Sequence, residues 1–401
     1  MASPSIAPLS FLRNVELYAP EPMGRRDLLI AGGQIAALSE RNEALPSLPA
    51  GLAHDSIDLE GARVVPGLVD AHVHLTGGGG EGGYSSRVPP LSLSDISLAG
   101  VTSVVGLLGT DSTTRTMRDL VAKTLGLREE GLSAWCWTGS YEVPVETLMG
   151  SVRDDMVFVD PILGVGELAI SDHRSSQPSF EAFTRIAADV HVGGMISGKA
   201  GVLHLHLGDG PRGLELIRRA LIETELPSRV FHPTHLNRNG ELFAEALALA
   251  TEMGRSAPYL DLTAFPADDI GDGLSAAAGV LAWKRADLSL DRLTCSSDGG
   301  GCMPHFDDQG QLHHYGVGQS TTLLETLRTL VDEEGLSLGE VLPLVTRNPA
   351  TLLRLSGKGE IAVGADADLL ILDADLEVSG LLARGRWLVA DGQAIVRGPF
   401  E

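Results

Sequence analysis

Eight short apolar segments alternate with amphipathic segments through the middle of this chain, and this alternation constrains the fold more than any other feature. The apolar segments predict buried strands, and the amphipathic segments between them predict helices. The predicted strands are 67–73, 101–107, 132–138, 161–170, 201–207, 228–235, 258–264 and 292–297. Eight strands that alternate with helices predict an α/β fold, a (β/α)8 barrel of the TIM type.

The helices predicted between these strands carry apolar residues on one face. One helix is predicted from about Pro211, a residue suited to a first helical turn, to Glu225, with Leu214, Ile217 and Leu221 on one face. The other predicted helices are Met117–Glu130, Glu241–Met253 and Thr321–Glu334.

Both ends of the chain show short strand patterns instead of this alternation. Gly32-Gly33 and Asp391-Gly392 are tight-turn signals between such strands. We therefore predict that residues 1–64 and 357–401 together form one small β-sandwich domain, and that residues 65–356 form the barrel. The predicted terminal strands are Val15–Tyr18, Asp27–Ala31, Gln34–Leu38, Ala62–Val65, Asp368–Leu372, Val378–Ala383 and Arg386–Val389.

The composition limits the partners and the location of the protein. A net charge of −23 over 401 residues disfavours binding to nucleic acid or to an anionic membrane. The three cysteines show no CxxC spacing, so we expect no disulfide framework and a cytoplasmic location. We also expect no signal peptide and no membrane span, because no apolar run reaches roughly 18 residues.

Two histidines mark the carboxyl end of the first predicted barrel strand. His72 and His74 lie in the run Pro-Gly-Leu-Val-Asp-Ala-His-Val-His, residues 66–74. Residues two apart on a strand point to the same face, so the two imidazoles project side by side. A His-x-His pair has an alternative interpretation as two surface or core histidines. Barrel enzymes, however, place their chemistry at the carboxyl ends of the strands.

Later strand ends supply two more histidines and two carboxylates. Glu167 comes from the fourth predicted strand, His206 from the fifth, His235 from the sixth, and Asp298 follows the eighth. Together with the His-x-His pair, they are suited to hold two divalent ions about 3.5–4 Å apart. Imidazole and carboxylate ligands favour zinc, with manganese, iron or cobalt as alternatives.

Three of these assignments have alternatives. His204 lies on the same strand face as His206 and is expected one layer deeper, because His206 is nearer the strand end. His232 and His235 have opposite parity, so at most one faces the barrel mouth, and His235 is assigned there. Asp298 precedes three glycines and has an alternative role as a turn residue.

At these residues the chain resembles the amidohydrolase superfamily, and more specifically its isoaspartyl dipeptidase (β-aspartyl peptidase) branch. The His-x-His pair marks only the superfamily. More specific are the four-glycine loop that ends at Glu81 and the segment Ala-Ile-Ser-Asp-His-Arg at residues 169–174. The resemblance covers nearly the whole chain and extends to residues 100–112, 233–239 and 296–301.

The resemblance implies a dinuclear zinc centre. His72, His74 and Asp298 match the ligands of the more buried zinc ion, and His206 and His235 match those of the second. By the same resemblance, Asp298 takes a proton from a metal-bridging hydroxide and passes it to the leaving amine. The implied reaction is hydrolysis of the isopeptide bond of β-aspartyl dipeptides.

The resemblance also implies contacts to the substrate. Glu81 matches the residue that binds the free α-ammonium group, and Tyr141 matches the phenol that polarises the scissile carbonyl. Arg174 and Arg238 match guanidiniums that bind substrate carboxylate, an interaction that also fixes orientation. Thr110 matches a further contact to the aspartyl group. Relatives often form octamers, so we expect a homo-oligomer and most simply an octamer.

Two positions depart from the family pattern. The family bridges its metals with a carboxylated lysine on strand four, whereas Glu167 occupies that position here, so no carboxylated lysine is expected. Gly166 beside it would permit a bulge that brings the shorter glutamate near both metals. The alternative is that Glu167 binds one metal or none. Cys302 stands where a serine commonly touches the substrate, and a thiol is a weaker hydrogen-bond partner.

Two other functions are consistent with the same residues. One is a different amidohydrolase activity, on an N-acyl amino acid, a cyclic amide or another dipeptide. The other is a metal-poor relative without catalysis. The charges of Glu81, Arg174 and Arg238 favour the dipeptide, because a β-aspartyl dipeptide carries one ammonium group and two carboxylates.

Overall fold

The computed structural model describes residues 9–46, 54–265, 273–306 and 312–401. The first five strands belong to a sheet that both ends of the chain build. They are β1 (Leu9–Tyr18), β2 (Pro22–Ala31), β3 (Gln34–Leu38), β4 (Asp55–Asp58) and β5 (Arg63–Pro66). Strand β1 pairs antiparallel with β2 on one side and parallel with β4 and β5 on the other.

The next eight strands form the barrel. They are β6 (Leu68–Val73), β7 (Val101–Gly106), β8 (Ser133–Thr138), β9 (Ile162–Ile170), β10 (Val202–Leu207), β11 (Phe231–Thr234), β12 (Leu260–Thr263) and β13 (Leu293–Ser296). Strands β6 to β11 pair in chain order, and β12 pairs with β13. Two backbone hydrogen bonds complete the circle: Leu236 N donates to Asp261 O at 3.3 Å, and His74 N donates to Gly299 O at 2.8 Å. The predicted (β/α)8 barrel is confirmed, and each strand lies within its predicted range.

Helices separate the strands. They are α1 (Leu93–Ser97), α2 (Met117–Glu130), α3 (Val152–Phe158), α4 (Phe180–Ser197), α5 (Glu215–Glu223), α6 (Gly240–Met253), α7 (Ala276–Arg285), α8 (Thr322–Arg328), α9 (Leu338–Val341) and α10 (Arg347–Leu352). Helix α2 begins with a capping box, in which Asp119 N donates to the Thr116 hydroxyl and Thr116 N donates to the Asp119 carboxylate. Among the helices of the described ranges, none combines the length and the apolarity that a membrane span requires.

Two predicted helices differ from the structure at their ends. The helix expected from Pro211 begins only at Glu215, because the residues before it form a turn tied to neighbouring loops. Gly213 has a φ of +44°, its N–H donates to Ser171 Oγ at 2.8 Å, and Leu214 N donates to Glu245 Oε2 at 3.0 Å. The helix predicted over 321–334 is helix α8 followed by a π-helical turn at Thr329–Glu333.

The last six strands were only partly predicted. They are the hairpin β14 (Cys302–Phe306) and β15 (Leu312–Val317), followed by β16 (Leu369–Leu372), β17 (Val378–Ala383), β18 (Arg386–Ala390) and β19 (Gln393–Ala394). Strand β16 pairs antiparallel with β5, which joins the two chain ends in one nine-stranded sheet. The buried Lys358 connects this sheet to the barrel, since its ammonium lies 2.6 Å from both Asp368 and Ser133.

Candidate metal centre and active site

The first two histidines meet a carboxylate at the mouth of the barrel. His72 lies near the carboxyl end of β6, and His74 comes directly after that strand. Asp298 lies two residues beyond the end of β13. Asp298 Oδ1 is 3.4 Å from His72 Nε2 and 3.1 Å from His74 Nε2. The φ of Asp298 is +52°, a left-handed conformation that is uncommon for a residue other than glycine. The structure therefore brings these three predicted ligands together.

Glu167 lies between the two predicted pairs of histidines. Its Oε1 faces the first pair, at 3.6 Å from His72 Nε2 and 3.5 Å from His74 Nε2. Its Oε2 faces the second pair, at 3.0 Å from His206 Nδ1 and 3.5 Å from His235 Nε2. One carboxylate thus presents one oxygen to each pair, which is the arrangement that a bridging ligand requires.

A bulge in strand β9 places Glu167 in this position. Along β10 the pairing advances two residues, from Leu203 to Leu205, while along β9 it advances three, from Val165 to Leu168. The pairing of β9 with β8 is also irregular, but one step earlier, between Ile162 and Val165. The irregularity that Gly166 indicated in the sequence is therefore present, and it changes the direction of the following side chain.

The second pair of histidines has more contacts with the protein than the first. His235 Nδ1 lies 2.8 Å from Thr263 Oγ1, and the left-handed φ of His235, +60°, turns its ring into the mouth. His206 Nε2 lies 2.9 Å from Asp172 Oδ2 in addition to the Nδ1 contact with Glu167. A metal that binds His206 must therefore replace one of these contacts.

The geometry and the unpaired atoms of this cluster fit a metal centre. Ligand atoms of His72, His74 and Asp298 lie within 4.8 Å of one another, as do those of His72, Glu167 and His235. His72 Nε2, Glu167 Oε1 and Asp298 Oδ1 are buried and have no hydrogen-bond partner among the described residues. Buried polar atoms are nearly always paired, and the two carboxylate oxygens lie 3.6 and 3.4 Å from His72 Nε2, so cations bound among these atoms would satisfy them. The donor set of imidazoles and carboxylates suits zinc or a similar divalent ion.

The electrostatics of the cluster also favour a cation. Burial opposes charge on His72, but the carboxylates of Glu167 and Asp298 outweigh it and raise the pKa of the imidazole to about 9. Burial likewise opposes charge on Glu167 and Asp298, yet the facing histidines hold the pKa of both carboxyls well below the usual range. Both carboxylates are therefore ionised at neutral pH, in a setting where buried charge must be compensated.

Tyr141 lies against His206, one of the second pair of histidines. Its hydroxyl oxygen lies 2.8 Å from His206 Nδ1, and the two rings are 4.5 Å apart between centroids. Burial and, after it, the charge of Glu167 raise the pKa of this phenol well above its usual value. Tyr141 thus keeps its proton at neutral pH and is able to donate a hydrogen bond into the site.

The glycine loop that carries Glu81 is held by an arginine that the sequence analysis did not identify. Arg115 is buried and donates to Thr76 O, Gly78 O and Gly79 O at 3.1, 2.9 and 3.2 Å. Gly77 has a φ of +79°, and a side chain there would collide with a backbone carbonyl. Glycine and Arg115 together therefore determine the path of the loop to Glu81.

The two predicted substrate arginines both lie close to His206 Nε2. Arg174 donates to both oxygens of Asp172, at 3.1 and 2.8 Å, and lies 3.4 Å from Glu81. Arg238 donates to Leu207 O at 2.7 Å, and its Nη1 is 3.4 Å from His206 Nε2. Glu81 and Arg174 remain partly exposed at the mouth, with side chains 34% and 26% accessible.

Two smaller predicted contacts also lie near the mouth. The Thr110 hydroxyl is buried and has no hydrogen-bond partner among the described residues. Cys302 begins β14 next to the glycine loop, because a Cβ built on Gly79 would lie 3.0 Å from the Cys302 Cβ. The hairpin that Cys302 begins was not predicted from the sequence, since its strands carry no clear apolar alternation.

A second layer of histidines lies below the mouth. His204 and His232 are fully buried, and His204 occupies the deeper position that was predicted for it. His72 Nδ1 lies 2.8 Å from His204 Nε2, and His204 Nδ1 lies 2.9 Å from His232 Nδ1. The sequence analysis did not assign a role to His232 or to Asp70, which accepts hydrogen bonds from Ser297 beside Asp298. Their position on buried strands among apolar residues was the available signal.

The barrel, with a cluster of histidines and carboxylates at the carboxyl ends of its strands, defines a hydrolase of the amidohydrolase class. The amidohydrolase family model matches residues 225–380. An L-hydantoinase from Paenarthrobacter aurescens is 25% identical over 405 residues, which cover 91% of this chain and 86% of the relative.

Solved structures show a more specific relationship. A β-aspartyl dipeptidase from Fervidobacterium islandicum AW-1, crystallised with the dipeptide β-Asp-Leu, is 40% identical with a TM-score of 0.90, over 97% of this chain and 98% of that chain. A second structure of a β-aspartyl dipeptidase from that organism is 39% identical with a TM-score of 0.85, over 96% and 98%. The present chain belongs to the β-aspartyl dipeptidase branch of the amidohydrolase family.

Proposed function

We propose that this protein is a zinc-dependent dipeptidase that hydrolyses the isopeptide bond of β-aspartyl dipeptides. The position of Glu167, with one carboxylate oxygen toward each histidine pair, carries this proposal. It provides a bridging ligand without a carboxylated lysine. Membership of the β-aspartyl dipeptidase branch supports the choice of substrate.

Two zinc ions are proposed to bind within this cluster. His72, His74 and Asp298 would hold one ion, His206 and His235 the other, with Glu167 between them. Bound divalent metal ions lower the pKa of water toward ~7 and polarise the substrate carbonyl. The remaining steps depend on side chains of the protein.

Asp298 and Tyr141 are the proposed catalytic side chains. Asp298 is ionised at neutral pH and directed at the centre of the cluster, so it is placed to accept a proton from the attacking water. It then returns this proton to the nitrogen of the leaving amine. Tyr141 keeps its proton and donates a hydrogen bond to the scissile carbonyl oxygen as negative charge develops there.

The charged residues of the mouth are proposed to orient the dipeptide. Glu81 would pair with the α-ammonium group, and Arg174 and Arg238 with the two carboxylates. Asp172 fixes the guanidinium of Arg174 through two hydrogen bonds, so less freedom is lost when substrate binds. The Thr110 hydroxyl would contact the aspartyl group, together with Cys302.

The direct test compares two isomeric dipeptides. We expect the zinc-loaded protein to hydrolyse β-Asp-Leu with a kcat/KM at least about 100-fold above that for α-Asp-Leu, since a misplaced reacting group costs a factor of this size. Equal rates on both peptides would contradict the substrate assignment. Absence of hydrolysis of either peptide with two ions bound would contradict the reaction.

The similarity to an L-hydantoinase favours cyclic amides as a second candidate substrate class. Glu81→Gln separates the two, because a dipeptide presents an ammonium group and a hydantoin does not. We expect this variant to lose about 10- to 100-fold in kcat/KM on β-Asp-Leu, the size of a charge-assisted hydrogen bond. Glu142→Gln is the matched control, since Glu142 binds Ser112 instead of Arg174. Greater activity on hydantoins than on β-Asp-Leu would favour the second candidate.

The assembly and the metal are further proposals. We propose a homo-octamer on the basis of the resemblance, and light scattering of the purified protein tests it. Metal analysis of protein purified without added metal tests the choice of zinc.

A further inference from the structure

A continuous chain of hydrogen bonds leads from the metal-facing His72 into the closed interior of the barrel. His204 and His232 form its first two links, as described above. His232 Nε2 lies 2.9 Å from Thr294 Oγ1, and the Thr294 hydroxyl donates to Asp261 Oδ1 at 2.5 Å. We call the set His204, His232, Thr294 and Asp261 the histidine relay.

The relay is isolated from water. All four of its side chains are fully buried. Trp137 stacks on His204, with ring centroids 5.2 Å apart and planes 15° from parallel, while its own N–H donates to Ala71 O. Hydrogen bonds in such a setting are strong, and an unpaired nitrogen would be costly, so each ring has one defined orientation.

The direction of the chain follows from its two ends. At the upper end, His72 Nε2 faces Glu167 and Asp298, so a metal there requires the lone pair on Nε2 and the proton on Nδ1. His72 Nδ1 must then donate to His204 Nε2. In the same way His204 Nδ1 donates to His232 Nδ1, and His232 Nε2 donates to the Thr294 hydroxyl.

Asp261 is a suitable terminal acceptor. Besides Thr294, its carboxylate accepts hydrogen bonds from the hydroxyls of Thr234 and Ser296, each at 2.6 Å. An ionised carboxylate accepts all three at once. Every donor in the relay therefore has one acceptor, and all the hydrogen bonds run in one direction, from the metal ligand to the buried carboxylate.

We propose that the histidine relay positions His72 for metal binding: it keeps Nδ1 as the donor and thereby keeps the Nε2 lone pair directed at the metal. Metal-bound histidines usually donate their second N–H to a carboxylate or a backbone carbonyl, and that partner sets tautomer and orientation. Here two histidines and a hydroxyl extend this arrangement to Asp261. The proposal rests on the metal centre of the proposed function.

The test interrupts the histidine relay at Thr294, far from the proposed metal, without changing the shape of that side chain. Thr294→Val removes the hydroxyl between His232 and Asp261 at almost constant volume, and Thr294→Ser restores it. Thr234→Val is the matched control, since it removes a hydroxyl bound to the same carboxylate but outside the relay. Each metal-free protein is titrated with Zn²⁺ in competition with a chromophoric chelator, and with Co²⁺ while visible absorption is recorded. The ion held by His72 is the one that His72→Ala protein fails to bind.

We expect Thr294→Val to weaken binding of that ion roughly ten-fold, which is the lower end of the loss caused by removing a hydrogen-bond partner of a metal ligand. The visible absorption of Co²⁺ bound at the same site should also shift. Thr294→Ser and Thr234→Val should bind it within about three-fold of the wild type. Equal affinity in Thr294→Val and the wild type, or an equal loss in Thr234→Val, would overturn the inference alone. A wild-type protein that binds no metal would overturn the proposed function as well.

A second pair of variants tests the first link. His204→Gln retains an acceptor for His72 Nδ1–H, whereas His204→Phe keeps a ring against Trp137 and has no acceptor. We expect His204→Phe to lose about 10- to 100-fold in affinity for the same ion, and His204→Gln to recover most of it. Equal affinities in the two variants would contradict the role of His204.

Discussion

The barrel holds histidines in two layers that differ in their partners. In the upper layer, His72 faces the carboxylates of Glu167 and Asp298, which overcome the effect of burial and raise the pKa of His72 to about 9. In the lower layer, His232 bonds to another histidine and to a hydroxyl, and burial lowers its pKa to about 4. Both side chains are fully buried in one barrel, so burial alone does not decide their charge.

The difference shows how one residue type serves two purposes. The upper layer leaves nitrogen and oxygen atoms without hydrogen-bond partners in the described ranges, and these atoms are the ones that a metal would bind. In the lower layer both nitrogens of His204 and of His232 have partners. The upper layer is therefore arranged to bind a ligand, and the lower layer is arranged to hold the upper one in place.

The largest expected effect comes from removing His72, a histidine of the upper layer, or Asp298, one of the carboxylates that His72 faces. His72→Ala and Asp298→Ala should each lower kcat on β-Asp-Leu at least about 100-fold, because the proposed metal ligand or the proposed proton carrier is lost. Circular dichroism should show that the fold is retained. His232→Gln, in the lower layer, should lose less. If His72→Ala or Asp298→Ala protein retained more than about a tenth of the activity, the role proposed for that residue would be contradicted.

The carboxylate shared by the two histidine pairs should control metal content. Glu167→Gln keeps the shape and removes the charge, and Glu167→Ala removes the ligand. We expect both variants to bind fewer than two ions per chain, since the proposed bridging ligand is missing. Mass spectrometry of metals measures this, with Glu142→Gln as a control for loss of charge. Two ions per chain in Glu167→Ala would place the bridge elsewhere.

The lower layer should make stability sensitive to acid. A histidine in the unfolded chain binds a proton near pH 6.5, whereas buried His232 resists protonation until about pH 4. The unfolded state therefore binds more protons between these values, and the free energy of unfolding falls as the pH is lowered from 6.5 to 4. The contribution of this residue is on the order of 3 kcal/mol.

Urea unfolding of the metal-loaded protein at several pH values measures this effect. His232→Gln should show a weaker dependence on pH in that window than the wild type. His173→Gln, which removes an exposed histidine, is the control. The same pH dependence in His232→Gln and the wild type would contradict the account of the lower layer.

The smallest expected effect comes from changing Cys302, which lies near the barrel mouth beside the glycine loop. Cys302→Ser replaces a weak hydrogen-bond partner by a stronger one, so KM for β-Asp-Leu should fall by a few-fold with little change in kcat. Steady-state kinetics on β-Asp-Leu measures both constants. An effect on kcat as large as that of His72→Ala would move Cys302 from substrate binding into the catalytic group.

Much of the barrel could be predicted from the sequence, because it depends on local patterns. Each barrel strand lies within its predicted range, since a buried parallel strand is a short apolar run between turn residues. The predicted start of α5, at about Pro211, was wrong, because Ser171 and Glu245 hold the preceding turn from other parts of the chain. No local pattern contains these contacts.

The candidate metal ligands could also be predicted from the sequence, since they lie at the ends of strands that a barrel brings together. The supporting residues could not be predicted: Arg115 holds the glycine loop from 35 or more positions away, and Asp261 lies 3.9 Å from His232 on the neighbouring strand. A buried polar residue in an apolar strand signals a partner but does not identify it. Only the packed structure supplies that partner.

The sequence by itself determined the order of strands and helices and the position of histidines and carboxylates, Glu167 among them, at strand ends. These properties follow from periodicity and from residue identity. Only the tertiary structure decided that a bulge turns Glu167 toward both histidine pairs, and that His204 and His232 link His72 to Asp261. Strand register and side-chain contacts across a barrel depend on residues far apart in the chain, which meet only when the barrel closes.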